Sequence, residues 1–167
     1  MDPTKIDLST DPTSSRMKGV TRHASMEFDV PFISKIADNL WQGGCEDGLV
    51  LPPFIKHVVS LYPWEAYTLA TMPDTYLEVV MYDSEDQGYD QVDEIAQWIN
   101  KRRKEGVVLV HCQAGLNRSS LVAARALTLD GMTGVEAINL LREKRSPACL
   151  CNPAFYRYIK AIGKENS

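Results

Sequence analysis

The sequence predicts an α/β domain built around a mostly parallel sheet. The strongest strand pattern is Val107–His111, where consecutive aliphatic residues indicate a strand covered on both faces. Helical patterns stand on both sides of it: the apolar residues of Tyr89–Arg103 recur at the spacing i, i+3, i+4 and i+7, and Ser119–Leu129 is almost entirely apolar. Because strand and helix patterns alternate along the chain, we expect a layer of strands flanked by helices.

The remaining patterns extend this α/β interpretation toward both ends of the chain. Thr133 and Glu136 form the sequence signature of a capping box, which predicts that a helix begins there. Asn152 followed by Pro153 is typical of an N-cap and the first position of a helix, and it predicts the last helix. Further strand patterns lie at Asn39–Gly44, His57–Leu61 and Tyr76–Tyr82.

The length of 167 residues favours a single folded domain. The beginning of the chain differs from the rest, because Asp, Pro, Thr and Ser dominate it and its apolar residues show no period. We therefore predict a flexible tail over residues 1–26 and one folded domain over residues 27–167.

Charge and composition narrow the classes of function. The net charge of -4 argues against a nucleic acid or a membrane surface as partner, since proteins that bind these usually carry a basic patch. The chain has no apolar run long enough to span a membrane and no cationic, then apolar leader, so we expect a cytoplasmic protein. We also expect it to be a monomer. In that compartment the cysteines are expected to be free thiols. They are Cys45, Cys112, Cys149 and Cys151.

The segment between the strongest strand and the most apolar helix carries the clearest functional signal. It reads His-Cys-Gln-Ala-Gly-Leu-Asn-Arg-Ser over His111–Ser119. Such a loop lies at the carboxyl end of a strand and the amino end of a helix, where ligands bind in open α/β sheets. Unsatisfied N–H groups and the helix dipole attract anions to this position, so the segment predicts a phosphate site.

The residue types in this loop suit attack on a phosphate ester. Gly115 lets the backbone turn closely around an anion. Arg118 is planar and permanently charged, so it can contact two phosphate oxygens at once. Cys112 lies in the same positive field, which favours the thiolate form that acts as a nucleophile. Attack of this thiolate on phosphorus would give a phosphocysteine intermediate.

The leaving oxygen of such a reaction needs a proton, which a carboxylic acid can supply. A loop between the predicted strands and the first helix offers Asp83, Glu85 and Asp86. Asp83 comes first after the strand and is our first candidate, and Asp86 stays open as the alternative. Ser119 is suited to hydrogen-bond the sulfur of Cys112 and to ease its departure as a thiolate.

The pattern His-Cys-x-x-Gly-x-x-Arg-Ser at His111–Ser119 resembles the active-site signature of the cysteine-based protein tyrosine phosphatases. Other features are similar to their small dual-specificity branch: the opening strand Asn39–Gly43, the 29 residues from Asp83 to Cys112, and the start of the last helix. The resemblance extends over about residues 30–162. It implies a sheet of about five strands flanked by helices, with no cofactor and no metal.

The resemblance also implies an activity: a dual-specificity-like protein phosphatase that acts on phosphotyrosine, and on phosphoserine or phosphothreonine, in phosphorylated proteins. In that family pattern Cys112 is the nucleophile and Arg118 is the phosphate clamp. Asp83 is the general acid, and Ser119 assists the leaving thiolate. His111 tunes the cysteine through hydrogen bonds rather than transferring protons. The phosphate-binding backbone amides would be those of Gln113, Ala114, Gly115, Leu116, Asn117 and Arg118.

Alternatives stay open at a few positions. Asn117 before Arg118 also occurs in the branch that removes phosphate from RNA 5′-triphosphate ends, so an RNA substrate is one alternative. A non-catalytic module that binds phosphorylated partners is another. Cys45 is a candidate for disulfide formation with Cys112 under oxidation. Trp64, in a loop after a proline, is a candidate for the lining of the substrate cleft.

Overall fold

The structure is a computed structural model that describes residues 11–64, 67–69 and 72–163. Its strands are β1 (Arg16–Val20), β2 (Glu27–Pro31), β3 (Ile33–Ala37), β4 (Leu40–Gly43), β5 (Val50–Leu51), β6 (Ile55–Ser60), β7 (Thr68–Leu69), β8 (Thr75–Glu78) and β9 (Val107–His111). Its helices are α1 (Asp90–Arg103), α2 (Arg118–Leu129), α3 (Gly134–Lys144) and α4 (Pro153–Lys160). The strands form one central sheet and, among the described residues, two further pairs, β1-β2 and β5-β7.

The central sheet has five strands in the order β3-β4-β9-β6-β8. β3 runs antiparallel to β4, and all other neighbouring strands are parallel. β9 lies in the middle, with Leu109 opposite Trp41 of β4 and Val58 of β6. Because β9 is covered on both faces, Val108–Val110 are fully buried, which explains its uninterrupted apolar run. The predicted fold class is confirmed.

The two faces of the sheet are covered in different ways. The described helices pack on the face of Val108 and Val110, and α2 contacts α1, α3 and α4 there. The opposite face, with Val58 and Leu109, packs against the segment around Leu49, and no described helix contributes to this cluster. Because the helices lie on one face, the helical layer brings the amino end of α2 directly to the end of β9.

None of the helices in the described ranges is long and apolar enough to cross a bilayer.

The capped helix starts predicted from the sequence are confirmed. The Thr133 hydroxyl accepts the N–H of Glu136 at 3.2 Å, and the Glu136 carboxylate accepts the N–H of Thr133 at 3.1 Å. This capping box begins α3. The side-chain oxygen of Asn152 accepts the N–H groups of Ala154 and Phe155 at 3.0 and 3.4 Å, and so begins α4.

The flexible tail predicted over residues 1–26 is wrong for residues 11–26, which contain one strand of a folded hairpin. β1 pairs antiparallel with β2 along its whole length, and Arg16 forms an ion pair with Asp29 at 2.8 Å. The polar composition concealed this hairpin, because its strands are mostly exposed and only a few of its apolar side chains, such as Met17 and Phe28, pack against the core. Residues 1–10 lie outside the described ranges.

The strand predicted over Tyr76–Tyr82 is shorter than expected, because β8 ends at Glu78. Beyond it, the N–H groups of Val79 and Met81 still donate to backbone carbonyls of β6 and the residue after it, at 2.9 and 3.3 Å. The chain therefore continues beside β6 toward the carboxyl edge of the sheet. The segment between β8 and α1 (residues 79–89), called the acid loop below, lies at this edge.

Candidate active site

The loop Cys112–Asn117, for which the sequence predicts a phosphate site and which is called the phosphate-binding loop below, joins the end of β9 to the start of α2. It turns sharply at Gly115, where φ is +72°. A Cβ atom there would lie 2.4 Å from the carbonyl carbon of Gly43 and 2.7 Å from a guanidinium nitrogen of Arg145. Since neither the backbone nor the buried arginine leaves room, this position requires glycine.

Cys112 lies at the bottom of a cavity of about 880 Å³ and is only 2% exposed. Its Sγ accepts a hydrogen bond from the N–H of Gly115 at 3.3 Å and lies 3.5 Å from Oγ of Ser119. The loop thus curls around the sulfur and directs a backbone donor at it. Such a contact stabilises negative charge on the sulfur.

Ser119 stands between Cys112 and a buried glutamine on β4. The side-chain N–H group of Gln42 donates to Oγ of Ser119 at 3.1 Å, and Gln42 itself is fully buried. Because the Ser119 oxygen accepts this bond, its own hydroxyl proton is available for the sulfur of Cys112. The sequence analysis placed Gln42 in the strand Asn39–Gly43 but gave it no role at the site. Its side chain also donates to the backbone carbonyl of Gly115 at 3.0 Å.

Arg118 begins α2 and is 9% exposed. One terminal nitrogen donates to the backbone carbonyl of Met81 at 3.2 Å, and the guanidinium carbon lies 5.1 Å from the centre of the Tyr62 ring. Its Nε is buried and has no partner among the described residues. A buried guanidinium with an unused donor beside a cavity is suited to bind phosphate oxygens.

Asp83 lines the same cavity and is held from several sides. Its carboxylate accepts N–H groups from the side chains of Asn117 at 3.1 Å and Asn152 at 3.0 Å. His23, in the turn of the β1–β2 hairpin, places its Nε2 3.2 Å from a carboxylate oxygen of Asp83. Asp83 is therefore fixed on the cavity wall by the phosphate-binding loop, the N-cap of α4 and the hairpin.

Of the carboxylates that the sequence left open, only Asp83 is among the described residues that line the cavity. Asp86 is exposed, and its backbone N–H donates to the Ser84 hydroxyl at 3.2 Å. Glu85 is exposed as well. The extended approach of the acid loop along β6 explains this placement, because it brings its first acidic residue to the edge of the sheet before the chain turns away.

His111 is buried directly beneath the phosphate-binding loop. One ring nitrogen lies 2.6 Å from the hydroxyl of Tyr67, and the other lies 3.3 Å from the backbone carbonyl of Cys112. Burial lowers the pKa of His111 to about 4, so the ring is neutral at neutral pH. The Tyr67 hydroxyl also lies 2.5 Å from the Tyr76 hydroxyl, so the series of hydrogen bonds extends to that residue. Burial raises the pKa of Tyr67. Neither tyrosine was indicated by the sequence.

The remaining cysteines lie at different distances from the chemistry. Cys45 lines the cavity, and its thiol donates to the backbone carbonyl of Cys112 at 3.3 Å. Cys149 is fully buried, and burial raises its thiol pKa. Cys151 lies 3.3 Å from the side-chain nitrogen of Asn117. Within the described ranges, no three His, Cys, Asp or Glu side chains are grouped so that they could hold a metal ion.

Aromatic side chains form one wall of the cavity. The Tyr62 ring, which faces Arg118, contacts the Trp64 ring edge-on at a centroid distance of 4.8 Å. Trp64 is 57% exposed, and Tyr82, which also lines the cavity, is 62% exposed. The wall therefore runs from the buried guanidinium out to the rim. Trp64 lines this cavity, and its place in a substrate cleft stays a prediction.

Fold and site together define a class of protein: an α/β domain whose strand, loop and helix place a buried cysteine and an arginine at one cavity. The catalytic domain of the dual specificity phosphatases matches residues 54–165 of this chain. Because this match includes more than half of the chain, the protein belongs to the dual specificity phosphatase family.

Curated relatives match shorter stretches of the chain. This chain is 36% identical over 67 residues to dual specificity protein phosphatase 19 of Mus musculus. The matched stretch covers 38% of this chain and 30% of that protein. The chain is 44% identical over 59 residues to MAP kinase phosphatase with leucine-rich repeats protein 3 of Dictyostelium discoideum, or 35% of this chain and 7% of that protein. The chain thus matches less than a third of the length of either relative.

Solved structures share the fold over most of their length. Human DUSP28 superposes with a TM-score of 0.64 at 18% identity, covering 78% of this chain and 91% of that one. A mouse putative dual specificity phosphatase complexed with zinc tungstate gives a TM-score of 0.65 at 18% identity, covering 87% and 94%. The five-stranded sheet and its helical layer are therefore common to these proteins.

Proposed function

We propose that this protein is a protein phosphatase that hydrolyses phosphotyrosine, and phosphoserine or phosphothreonine, through a phosphocysteine formed on Cys112. The observation that carries the proposal is the convergence of three groups on one cavity: the Cys112 sulfur, the Arg118 guanidinium and the Asp83 carboxyl group. Membership in the dual specificity phosphatase family supports the same reaction.

In the first step the Cys112 thiolate attacks phosphorus, and the bond between phosphorus and the ester oxygen breaks. The carboxyl group of Asp83 donates its proton to that oxygen, so the alcohol or phenol leaves neutral. Arg118 and the loop N–H groups bind the remaining phosphate oxygens, where negative charge develops in the transition state.

In the second step water attacks the phosphorus of the phosphocysteine and gives a proton to the Asp83 carboxylate. The bond between sulfur and phosphorus breaks, and its electron pair returns to Cys112 as a thiolate. The Ser119 hydroxyl, 3.5 Å from the sulfur, stabilises this leaving thiolate by donating a hydrogen bond. Inorganic phosphate then leaves, and the enzyme is restored.

The aromatic wall favours phosphotyrosine as the best substrate. Tyr62 and Trp64 extend from Arg118 to the rim, so the ring of a phosphotyrosine bound at Cys112 has an aromatic surface beside it. Aromatic contacts of this kind contribute about 0.5–1.5 kcal/mol beyond burial. Phosphoserine and phosphothreonine lack a ring to make that contact.

The alternative of an RNA 5′ end has less support. Asn117, the residue that suggested it, uses its side chain to bind Asp83 and the backbone N–H of Asn152, at 3.1 and 2.9 Å. These contacts account for an asparagine at this position without a nucleic acid.

The proposal is tested by hydrolysis of p-nitrophenyl phosphate in EDTA, with the wild type compared to Cys112→Ser. We expect turnover in the wild type and none in the variant. A phosphotyrosine peptide, a phosphoserine peptide and a 5′-triphosphate RNA then separate the substrate classes. Equal residual activity in both proteins would reject the proposal in favour of a binding module.

A further inference from the structure

Arg145, the C-cap residue directly after α3, carries a guanidinium buried behind the phosphate-binding loop. None of the ion pairs among the described residues includes it. Burial lowers the pKa of Arg145 to about 10, so it stays charged at neutral pH. A buried cation without a carboxylate partner lowers the stability of the fold unless hydrogen bonds to other dipoles compensate its charge.

The donors of this guanidinium point in two directions. Toward the phosphate-binding loop, Nε donates to the carbonyl of Gly115 at 2.7 Å and Nη2 to the carbonyl of Ala114 at 2.9 Å. Away from it, Nη1 donates to the carbonyl of Pro31 at 2.8 Å and to the Ser34 hydroxyl at 3.0 Å. One rigid planar group therefore holds two consecutive loop carbonyls against the start of the central sheet.

By holding the carbonyl oxygens, these contacts also fix the direction of the N–H groups that belong to the same peptide groups. A trans peptide points its C=O and N–H in opposite directions. The peptide between Ala114 and Gly115 directs its oxygen to Arg145 and its N–H to the Cys112 sulfur at 3.3 Å. In the next peptide the Gly115 carbonyl also faces Arg145, so the N–H of Leu116 points away from Arg145, and Leu116 is one of the residues that line the cavity.

We propose that Arg145 is a positioning residue of the phosphatase reaction. It holds the carbonyls of Ala114 and Gly115 outward, so that the attached N–H groups face the nucleophile and the bound phosphate. The inference rests on the proposed function for the identity of the anion. Arg145 does not touch the substrate; it acts through two peptide groups, and its charge stands behind them on the side away from the cavity.

Arg142 provides a matched control on the same helix. Its Nε also donates to a backbone carbonyl, that of Cys149 at 3.0 Å, and its guanidinium lies 5.1 Å from the Tyr156 ring. It has no hydrogen bond to the phosphate-binding loop among the described residues. Loss of either arginine removes a charge and a carbonyl contact, but only the loss of Arg145 removes hydrogen bonds to the loop carbonyls, although Gln42 still donates to that of Gly115.

The test measures the affinity for inorganic tungstate by calorimetry in Cys112→Ser protein, where no turnover occurs. Adding Arg145→Met, which keeps much of the side-chain length but removes the donors, is expected to weaken tungstate binding by about tenfold or more. Arg145→Lys keeps the positive charge but lacks the planar arrangement of several N–H donors, and its tungstate affinity is expected to fall by about threefold or more. Arg142→Met should stay within about twofold of the parent.

The inference is overturned if Arg145→Met binds tungstate within about twofold of the parent, or if Arg142→Met weakens binding equally. If Arg145→Met does not fold, Arg145→Lys decides: full tungstate affinity in that variant overturns the proposal. A purely structural role would lower the unfolding temperature without moving the affinity of the folded protein. Hydrolysis by the wild type is assayed separately, so a failure of the proposed function is distinguishable from a failure of this inference.

Discussion

Asn117 donates a side-chain N–H to the carboxylate of Asp83 at 3.1 Å, and thereby ties the acid loop to the phosphate-binding loop. The other carboxylate oxygen accepts from Asn152 at 3.0 Å and lies 3.2 Å from Nε2 of His23. A general acid must be within hydrogen-bond reach of the leaving oxygen, so its position matters as much as its protonation. Under the proposed function, these contacts hold the Asp83 carboxyl group in place on the cavity wall.

Removal of the Asp83 carboxyl group tests the general-acid role. Asp83→Ala should lower kcat for a phosphotyrosine peptide by about 10²–10⁴-fold, because the leaving oxygen then receives no proton from the enzyme. Tungstate affinity should change little, since Asp83 does not hold the phosphate oxygens. Asp86→Ala, an exposed carboxylate on the same loop, is the matched control and should keep kcat within about twofold. The reverse pattern would assign the role to Asp86.

Replacement of Arg118 tests whether phosphate binding needs the planar guanidinium group or only a positive charge. Both Arg118→Ala and Arg118→Lys should lower kcat/KM for p-nitrophenyl phosphate by about 100-fold or more, because an ammonium group cannot contact two oxygens in one plane. Steady-state kinetics on both variants measure this. Near wild-type kcat/KM in Arg118→Lys would show that positive charge alone suffices.

Gly115→Ala is expected to disrupt the phosphate-binding loop. The new Cβ would meet the Gly43 backbone at 2.4 Å, and φ of +72° is strained for any residue with a side chain. We expect loss of tungstate binding together with a lower unfolding temperature. Gly88→Ala, where nothing lies within 4 Å of the added atom, is the control and should change neither. Normal tungstate binding in Gly115→Ala would contradict the tight turn.

The aromatic wall predicts a preference for aryl phosphates. Trp64→Ala should reduce the ratio of kcat/KM for a phosphotyrosine peptide to that for the matching phosphoserine peptide by about 3–10-fold. Phe54→Ala removes another exposed aromatic residue, one that packs on Trp41 and does not line the cavity, and it should leave the ratio unchanged. An unaltered ratio in Trp64→Ala would remove Trp64 from the determinants of specificity.

His111 makes stability depend on pH in a definite direction. Burial lowers its pKa from 6.5 to about 4, so below pH 6.5 the unfolded chain takes up a proton that the folded protein excludes. Stability should therefore be highest above pH 6.5 and fall toward pH 4, by about 3 kcal/mol or less from this residue. Urea unfolding at several pH values measures the slope. His111→Gln should flatten it, and an unchanged slope would place its origin elsewhere.

The parts of the site that are contiguous in sequence could be predicted, and the parts that depend on distant segments could not. Cys112, Gly115 and Arg118 stand in one loop after an apolar strand, so their spacing indicates both the loop and its chemistry. His23 lies 60 residues from Asp83, in a segment whose composition suggested a tail. Arg145 resembles any other cation near the end of a helix, and only the folded chain shows which carbonyls it meets.

The fold was predictable for a related reason. A fully buried strand leaves an uninterrupted apolar run, as in Val107–His111, and an amphipathic helix leaves a periodic pattern, as in α1. The β1–β2 hairpin leaves no such pattern, because its strands are mostly exposed and pair through the backbone. The residues that a sequence analysis assigns to a tail can therefore still contribute to the wall of a site.

The hydrogen bonds that support the candidate site join residues that are far apart in the sequence. Gln42 bonds to Ser119 across 77 residues, and Arg145 bonds to Pro31 across 114. Closing such long loops costs chain entropy that local helices do not incur, so contacts of this kind form late. During refolding, helical circular dichroism should thus recover before hydrolysis does, and the return of turnover marks completion of the tertiary structure rather than of the helices.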